Sequence, residues 1–221
     1  DARSARLVEM GRRQQQGEET RQRILDATIE IAAERGYEGT SMSQIAERAG
    51  VSMSSIYWHF ADKDAVIAAV LQRSHDHWFH DAAAYEEPPA GTDVGEYLTA
   101  AVREDVITLT KHPEFLRLGL MLSLERRPSE PTARALFHDQ RRESLAHLEA
   151  TFFRLLGDRS ASAESGQHLA RQLATLVMAA ADGLFIAHQI APDELDLDAL
   201  LDLFVGGVLD RALGQLDGGA G

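Results

Sequence analysis

The apolar residues of this chain recur at helical spacing in every long segment. In the stretch 23–35, for example, Ile24, Ala27, Thr28 and Ile31 fall on one stripe of a helix. No segment shows the sustained alternation of apolar and polar positions, rich in β-branched residues, that a strand requires. The periodicity therefore predicts an all-α protein.

Stretches rich in glycine, proline and small polar residues divide the chain into about nine helices. The predicted helices, in chain order, are 20–35, 42–49, 53–60, 63–83, 93–111, 114–126, 132–156, 167–190 and 197–215. We expect residues 1–16 and the tail 218–221 to be mobile.

Composition narrows the class of protein. With 44% hydrophobic and 26% charged residues among 221, the chain has an ordinary globular composition. It contains no cysteine, which excludes disulfides, thiolate metal sites and a cysteine nucleophile. The longest apolar run, 176–181, is far too short for a membrane span, and the start of the chain lacks the apolar core of a secretory signal. We therefore expect a cytoplasmic protein with no membrane partner.

The net charge of −13 at first argues against a nucleic acid partner. The charge is unevenly distributed, however. Residues 1–63 carry 9 basic and 10 acidic side chains, whereas residues 64–221 carry 13 and 25. Because the acidity lies in the second segment, net charge does not exclude DNA as a partner of the first.

The segment 36–60 has the pattern of a helix-turn-helix. Gly36 ends the first helix, and Ser41 and Gln44 have the spacing of a capping box that starts a second. Gly50 breaks that helix after two turns, and Ser52 is a good N-cap for a third. Two short helices joined by a glycine-containing turn form the DNA-binding motif.

The third helix has an unusual outer face. Ile56 and Phe60 are predicted to pack inward, with Ser54 and Trp58 roughly opposite them. Small hydroxyls and aromatic rings are rare on a solvated helix but suit the major groove of DNA. The alternative is that Trp58 and the neighbouring Tyr57 pack under another helix.

Residues 18–78 resemble the TetR family of bacterial transcriptional regulators. The resemblance rests on RILDA at 23–27, ERGY at 34–37, IAERAGVS at 45–52 and IYWHF at 56–60. A shorter match, ADGL at 181–184, resembles the family's penultimate helix.

The resemblance implies a three-helix N-terminal helix-turn-helix domain followed by a helical domain for ligand binding and dimerisation. With these roles, the chain divides into a flexible N-terminal arm (1–17), a DNA-binding domain (18–78), a ligand-binding and dimerisation domain (79–216) and a disordered tail (217–221).

The resemblance also implies a DNA-contacting set. Thr40, Tyr57, His59 and Lys63 correspond to phosphate contacts, and the start of the third helix corresponds to the base-reading positions. The complete set is Thr40, Ser41, Gln44, Ser52, Met53, Ser54, Ser55, Tyr57, Trp58, His59 and Lys63. Many family members carry Lys, Arg, Pro or Gly near Met53 and Ser54, so base reading here leans on van der Waals contact with thymine methyl groups.

Four arginines precede the motif, at Arg3, Arg6, Arg12 and Arg13. A flexible arm carrying them could enter the minor groove beside the helix-turn-helix. The alternative is a leader without a role.

In the second domain, the family resemblance implies a small-molecule pocket. Large apolar side chains favour an apolar effector. The candidate lining residues are Trp78, Phe115, Leu118, Met121, Leu122, Phe137, Phe152, Met178 and Phe185. The alternative for each is plain core packing.

The last two helices carry wide apolar stripes, which could form a four-helix interface between two copies. A helix-turn-helix that reads a palindrome also needs two copies. The candidate interface residues are Leu173, Leu176, Val177, Ala180, Leu184, Leu201, Phe204 and Val208. The alternative is an intrachain core.

His75, His77, His80 and Asp81 include pairs at i, i+4 spacing, which can place two metal ligands on one helix face. All four lie on one predicted helix without a supporting motif, so we predict no metal and no cofactor.

We therefore predict a ligand-responsive, homodimeric repressor that binds a palindromic operator and is not an enzyme. One alternative is an all-α metal-dependent enzyme that uses the histidine cluster. Another is a DNA-binding dimer that needs no ligand.

Overall fold

The computed structural model describes residues 2–81, 88, 91–125, 131–157, 160 and 162–218. Within these ranges every regular element is an α-helix, which confirms the predicted all-α class and the number of helices. The helices are α1 (Ala2–Arg35), α2 (Met42–Ala49), α3 (Met53–His59), α4 (Lys63–Asp81), α5 (Val94–Lys111), α6 (Glu114–Leu124), α7 (Thr132–Leu156), α8 (Ala163–Ile190) and α9 (Leu197–Gly218).

The start of α1 differs from the prediction. The helix begins at Ala2 rather than near residue 20, so the segment predicted as a flexible arm continues α1. The segment is rich in Arg and Gln, which are good helix formers. Side-chain pairs one turn apart support it, with Arg13 Nε 3.4 Å from Glu9 and Gln15 donating to Glu19 at 3.2 Å.

Two other helix ends also differ. Ser162 caps α8 by accepting a hydrogen bond from the Ser165 amide at 3.1 Å, so this helix starts one turn before the predicted 167. Helix α9 extends to Gly218, so the predicted tail starts inside a helix, and residues 219–221 lie outside the described ranges.

The chain divides into two compact units. The first contains residues 1–76 and 114–138, and the second contains 77–113 and 139–221. The first break lies close to the predicted boundary at 78. The membership of α6 and the start of α7 in the first unit was not predicted from the sequence.

The first unit has a core formed by α1 to α4. Ile24, Ile45, Ile56 and Ile67, one from each of these helices, are completely buried. At the rim, Arg48 of α2 donates to Glu30 at 2.9 Å and to Glu34 at 3.2 Å, which ties α2 to α1. The Arg48 guanidinium holds the pKa of Glu34 below its usual value.

Three contacts join α6 and the start of α7 to this core. The Asp64 carboxylate accepts hydrogen bonds from the amides of Thr132 at 2.7 Å and Ala133 at 3.2 Å, and so caps α7. A Cβ at Gly36 would lie 3.4 Å from Cε of Met121 in α6. The rings of His75 and Phe115 lie 5.2 Å apart.

In the second unit, α5, α8 and α9 pack on one another. Their buried apolar residues include Leu98, Leu173 and Leu201. Arg141 of α7 donates to Asp182 of α8 at 2.6 Å, and both side chains are largely buried. Burial raises the pKa of Asp182, although Arg141 opposes this shift.

Among the described helices, only α8 is long and apolar enough to cross a membrane, judged by length and composition alone. The sequence did not predict this, because the longest uninterrupted apolar run of the helix, 176–181, is short. The core helix of a folded domain meets the same criterion, and α8 packs on α5 and α9. However, only 28% of its apolar window is buried, so apolar surface remains on this helix.

Candidate nucleic-acid interface

The predicted capping box at the start of α2 is confirmed. The Gln44 amide donates to Ser41 Oγ at 3.4 Å, and the Ser41 amide donates to Gln44 Oε1 at 3.0 Å. Both side chains belong to the predicted DNA-contacting set. Their polar groups therefore have a structural role in the helix start before any DNA is bound.

Two residues, Gly50 and Ser52, determine the turn between α2 and α3. Gly50 adopts a left-handed conformation with φ of 64°, which a residue with a side chain rarely adopts. Ser52 then accepts a hydrogen bond from the Ser55 amide at 3.1 Å and starts α3. Buried Ile56 fixes the helix against the core. These contacts leave the opposite face of α3 exposed.

That exposed face carries the residues predicted to read DNA. Trp58 is 77% exposed and Tyr57 is 53% exposed, so the alternative in which both rings pack under a neighbouring helix does not hold. Met53 and Ser54 are also exposed. An indole, a phenol, a thioether and a hydroxyl thus share one convex surface that water covers in the free protein.

Two members of the predicted DNA-contacting set, Thr40 and Lys63, are not exposed like the residues of α3. Thr40 is buried and its Oγ1 donates to the Gly36 carbonyl at 2.7 Å, so its hydroxyl is not available to a phosphate in this conformation. Lys63 is half-buried, because its Nζ donates to the Tyr37 carbonyl at 3.0 Å and lies 4.2 Å from the centre of the Tyr37 ring. Both residues hold the segment between α1 and α2 in place.

His59, at the end of α3, is half-buried beside α1. Burial lowers its pKa, and the positive charge of Arg21 lowers it further, while Glu18 acts in the opposite direction. The imidazole is therefore mainly neutral at pH 7. Its ring lies 4.6 Å from that of Trp58 in an edge-on arrangement.

The predicted effector-lining residues fall into two groups, one in each unit. Phe115, Leu118, Leu122 and Phe137 are buried in the first unit. A Cβ at Gly119 would overlap the Phe137 ring, which shows close packing there. Met121 in that unit is half-buried and lies near Gly36.

In the second unit, Phe152 and Phe185 are buried, and Met178 is half-buried. Trp78 donates through Nε1 to the Asp105 carbonyl at 3.4 Å. A groove of about 630 Å³ lies along α5 and α9, and none of its residues was predicted as a site from the sequence. They are Asp93, Gly95, Glu96, Thr99, Ala100, Arg103, Glu104, Ile107 and Asp202.

The residues of the predicted dimer set differ in exposure. Leu173, Val177 and Leu201 are buried within their own chain. Ala180, Leu184, Phe204 and Val208 are half-buried, and Leu176 is exposed. The helices are apolar on more than one face, and a stripe in the sequence does not reveal which face meets the core.

Other apolar residues of the same helices are exposed. Ile190 of α8 and Leu203 of α9 are 77% and 75% exposed, and Ile186 and Leu200 are also exposed. A Cβ at Gly183 of α8 would meet no atom within 4 Å, so the backbone there is open to close approach.

The histidine cluster of α4 does not form a metal site among the described residues, where no group of three potential ligands converges. The buried His75 ring packs on Phe115, while the His77 ring lies 5.9 Å from that of His112. The Asp81 side chain lies outside the described ones.

The fold and the exposed face of α3 define a helix-turn-helix DNA-binding protein. Residues 24–70 match the family model of the bacterial regulatory proteins of the TetR family. The transcriptional regulator SrpR of Pseudomonas putida is 46% identical over 61 residues, which are 27% of this chain and 29% of SrpR. The chain thus matches less than a third of the length of that relative. The N-terminal segment 24–70 therefore matches the TetR family of regulators.

Solved structures extend the likeness to the whole helical fold. A TetR-like transcriptional regulator of Rhodococcus sp. RHA1 has a TM-score of 0.62 and 24% identity, over 88% of this chain and 96% of that one. SmeT, solved in complex with triclosan, has a TM-score of 0.60 and 25% identity, over 89% and 90% of the two chains. The matching family model and the curated relative SrpR are both those of transcriptional regulators, in agreement with the prediction that the chain is not an enzyme.

Proposed function

We propose that this chain is a ligand-responsive, homodimeric transcriptional repressor that binds a palindromic operator. The observation that carries the proposal is the exposed aromatic and hydroxyl face of α3 within a TetR-family domain. Trp58 is mostly exposed beside the exposed Tyr57, and such an aromatic face suits contact with a DNA groove.

In this proposal the DNA-binding domain is residues 18–78. Met53, Ser54 and Ser55 contact base edges, while Tyr57 and Trp58 contact the groove and its phosphates. Ser41, Gln44 and Ser52 contribute through the amides at the helix starts that they cap. Thr40 and Lys63 act mainly by holding the motif in shape, because their polar groups bond within the unit.

The domain after residue 78 is assigned to dimerisation and effector binding. A second copy is the proposed occupant of the exposed apolar face on α8 and α9, which includes Leu176, Ile186, Ile190, Leu200 and Leu203. Two-fold pairing would also set two recognition helices about one DNA turn apart.

The proposed effector is a small apolar molecule. The support is the apolar character of the predicted lining residues and the fact that the SmeT structure contains triclosan. Helices α4 and α7 each contribute residues to both units, so they are the candidates for transmitting ligand binding to the DNA-binding unit. Ligand lowers DNA affinity only as far as it prefers the conformation that binds DNA poorly.

A regulator of this kind acts where the chromosome is, so we propose a cytoplasmic location.

The test is selection of genomic fragments by the purified full chain, followed by binding measurements on the enriched duplex. We expect a palindrome with half-sites about one helical turn apart. Trp58→Ala should lower affinity for that duplex at least tenfold, and Ser54→Ala should change the preferred bases. Leu124→Ala, at an exposed residue of α6, is the control and should bind like the wild type. Enrichment of no fragment by the wild type would refute the proposal.

A further inference from the structure

The first half of α1 is a basic segment in an acidic protein. Residues 2–17 contain Arg3, Arg6, Arg12 and Arg13 but only one acidic residue, Glu9. The whole chain, by contrast, has a net charge of −13. This half of α1 therefore stands out as a surface that attracts anions.

The packing of α1 shows which side of this segment lies towards α3. A Cβ at Gly17 would lie 4.0 Å from Cζ3 of Trp58. Gly17 precedes buried Ile24 by seven residues, which is nearly two full helical turns. The face of α1 that packs on the core thus continues through Gly17 towards the exposed ring of the recognition helix.

Arg13 extends the same face by one more turn. It precedes Gly17 by four residues, so it lies about 40° around the helix and about 6 Å along its axis from Gly17. Arg12 precedes Gly17 by five residues and lies about 140° around the helix, on the far side. Both arginines are exposed. Arg12 and Arg13 are adjacent in sequence and carry the same charge, but they lie on different faces of the helix.

The described residues 9–16 of this half of α1 are exposed. Arg13 pairs with Glu9 at 3.4 Å, but both side chains are mostly exposed, and surface pairs of this kind contribute little. A backbone phosphate can therefore compete with Glu9 for Arg13. Duplex DNA seated on α3 would place its phosphates next to this face.

We propose that the first half of α1 is a second DNA-binding element, in which Arg13 binds a backbone phosphate flanking the site read by α3. The inference rests on the proposed function and adds a sequence-independent contact. The element acts as a continuous helix, because the second half of α1 packs on the core and fixes the direction of the first half. It does not act as a flexible arm.

The test compares two arginine variants of the full chain on a 40-base-pair duplex of random sequence. The dissociation constant is measured between 50 and 200 mM salt. We expect Arg13→Ala to weaken binding three- to tenfold and to reduce the slope of log affinity against log salt by about 1 per protomer. Arg12→Ala is the matched control and should stay within twofold of the wild type. Alanine is a good helix former, so circular dichroism should show unchanged helix content.

A third variant tests whether the helix must be continuous. Gln14→Pro interrupts α1 between Arg13 and Gly17, because proline removes a helix hydrogen bond and clashes with the preceding turn. We expect the same loss of affinity as for Arg13→Ala. Wild-type affinity in Gln14→Pro would show that a flexible arm makes the contact, which overturns the helical element.

Equal effects of Arg12→Ala and Arg13→Ala, whether large or absent, would also overturn the inference. That failure is distinct from failure of the proposed function. If the wild type binds the operator fragment and Trp58→Ala abolishes binding, the proposed function stands whatever the arginine variants do. If the wild type binds no duplex, both proposals fall together.

Discussion

In α3, residues two positions apart lie in opposite environments. Ile56 is completely buried, whereas Trp58 is exposed, because two residues correspond to about 200° around a helix. Periodicity alone was enough to predict this pair. The environments of Thr40 and Lys63 were not predictable in the same way, because their partners are carbonyl groups whose positions depend on the folded turn between α1 and α2.

Lys63 is expected to stabilise the fold, whereas the other lysine of the chain, Lys111, is not. Lys63→Ala removes a charged hydrogen bond to the Tyr37 carbonyl and the contact with the Tyr37 ring. We expect the free energy of unfolding to fall by about 1.5 kcal/mol, measured by chemical denaturation. Lys111→Ala, at the exposed end of α5, is the control and should change it by less than about 0.5 kcal/mol. Equal effects of the two variants would contradict a structural role for Lys63.

His59 predicts a pH dependence of DNA binding. In the free protein its pKa is lowered by burial and by Arg21, so it is mainly neutral at pH 7. A phosphate beside the ring would favour the protonated form and raise the pKa. Binding then takes up a proton, and affinity should rise as pH falls from 7.5 towards 6.

The test compares the pH dependence of DNA affinity between the wild type and His59→Gln, measured by fluorescence anisotropy on the same duplex. This variant should lose most of the rise in affinity. The lowered pKa also means that His59 contributes stability above about pH 6.5, and that this contribution is lost as pH falls through the folded-state pKa. Parallel pH profiles of variant and wild type would place His59 away from the phosphates.

At the scale of helices, the capped starts of α2 and α3 were predicted at the observed residues, whereas the start of α1 and the Ser162-capped start of α8 were not. Ser41 and Ser52 start α2 and α3 at the expected positions, because the caps act within three residues. The start of α1 was missed because favourable helix formers run through Gly11 and Gly17, which weaken a helix without ending it.

The exposed apolar face of α8 and α9 leads to a prediction about assembly. Leu203→Glu places a charge in the proposed interface, and we expect the dimer to become a monomer at micromolar concentration in light-scattering measurements. Leu124→Glu is the matched control, since Leu124 is 79% exposed but lies on α6. A Leu203→Glu protein that remains dimeric would exclude this face as the interface.

At the scale of the whole molecule, domain membership depends on contacts that the sequence order hides. Helix α6 follows the second unit's α5 in sequence but belongs to the first unit. Asp64, at the start of α4, caps α7 at Thr132, which lies 68 positions further along the chain. No local pattern predicts a cap supplied from so distant a residue.

The buried pair of Arg141 and Asp182 joins two helices of the second unit. Asp182→Asn leaves the Arg141 guanidinium buried without its counter-charge, so we expect the free energy of unfolding to fall by about 3 kcal/mol. Asp139→Asn breaks the exposed pair with Arg142 and should have little effect. Thermal and chemical unfolding would distinguish the two. A small change in Asp182→Asn would mean that Arg141 finds water or another acceptor.

The amino-acid sequence by itself determined the helical class, the capping box, the glycine turn and the inner and outer faces of α3. These features depend on interactions within about four residues, and such interactions are readable from spacing. The tertiary structure decided that Leu173 packs inward while Leu176 is exposed, that Lys63 bonds to Tyr37, and that α6 joins the first unit. Each of these depends on residues far apart in the chain, whose proximity exists only once the helices have packed.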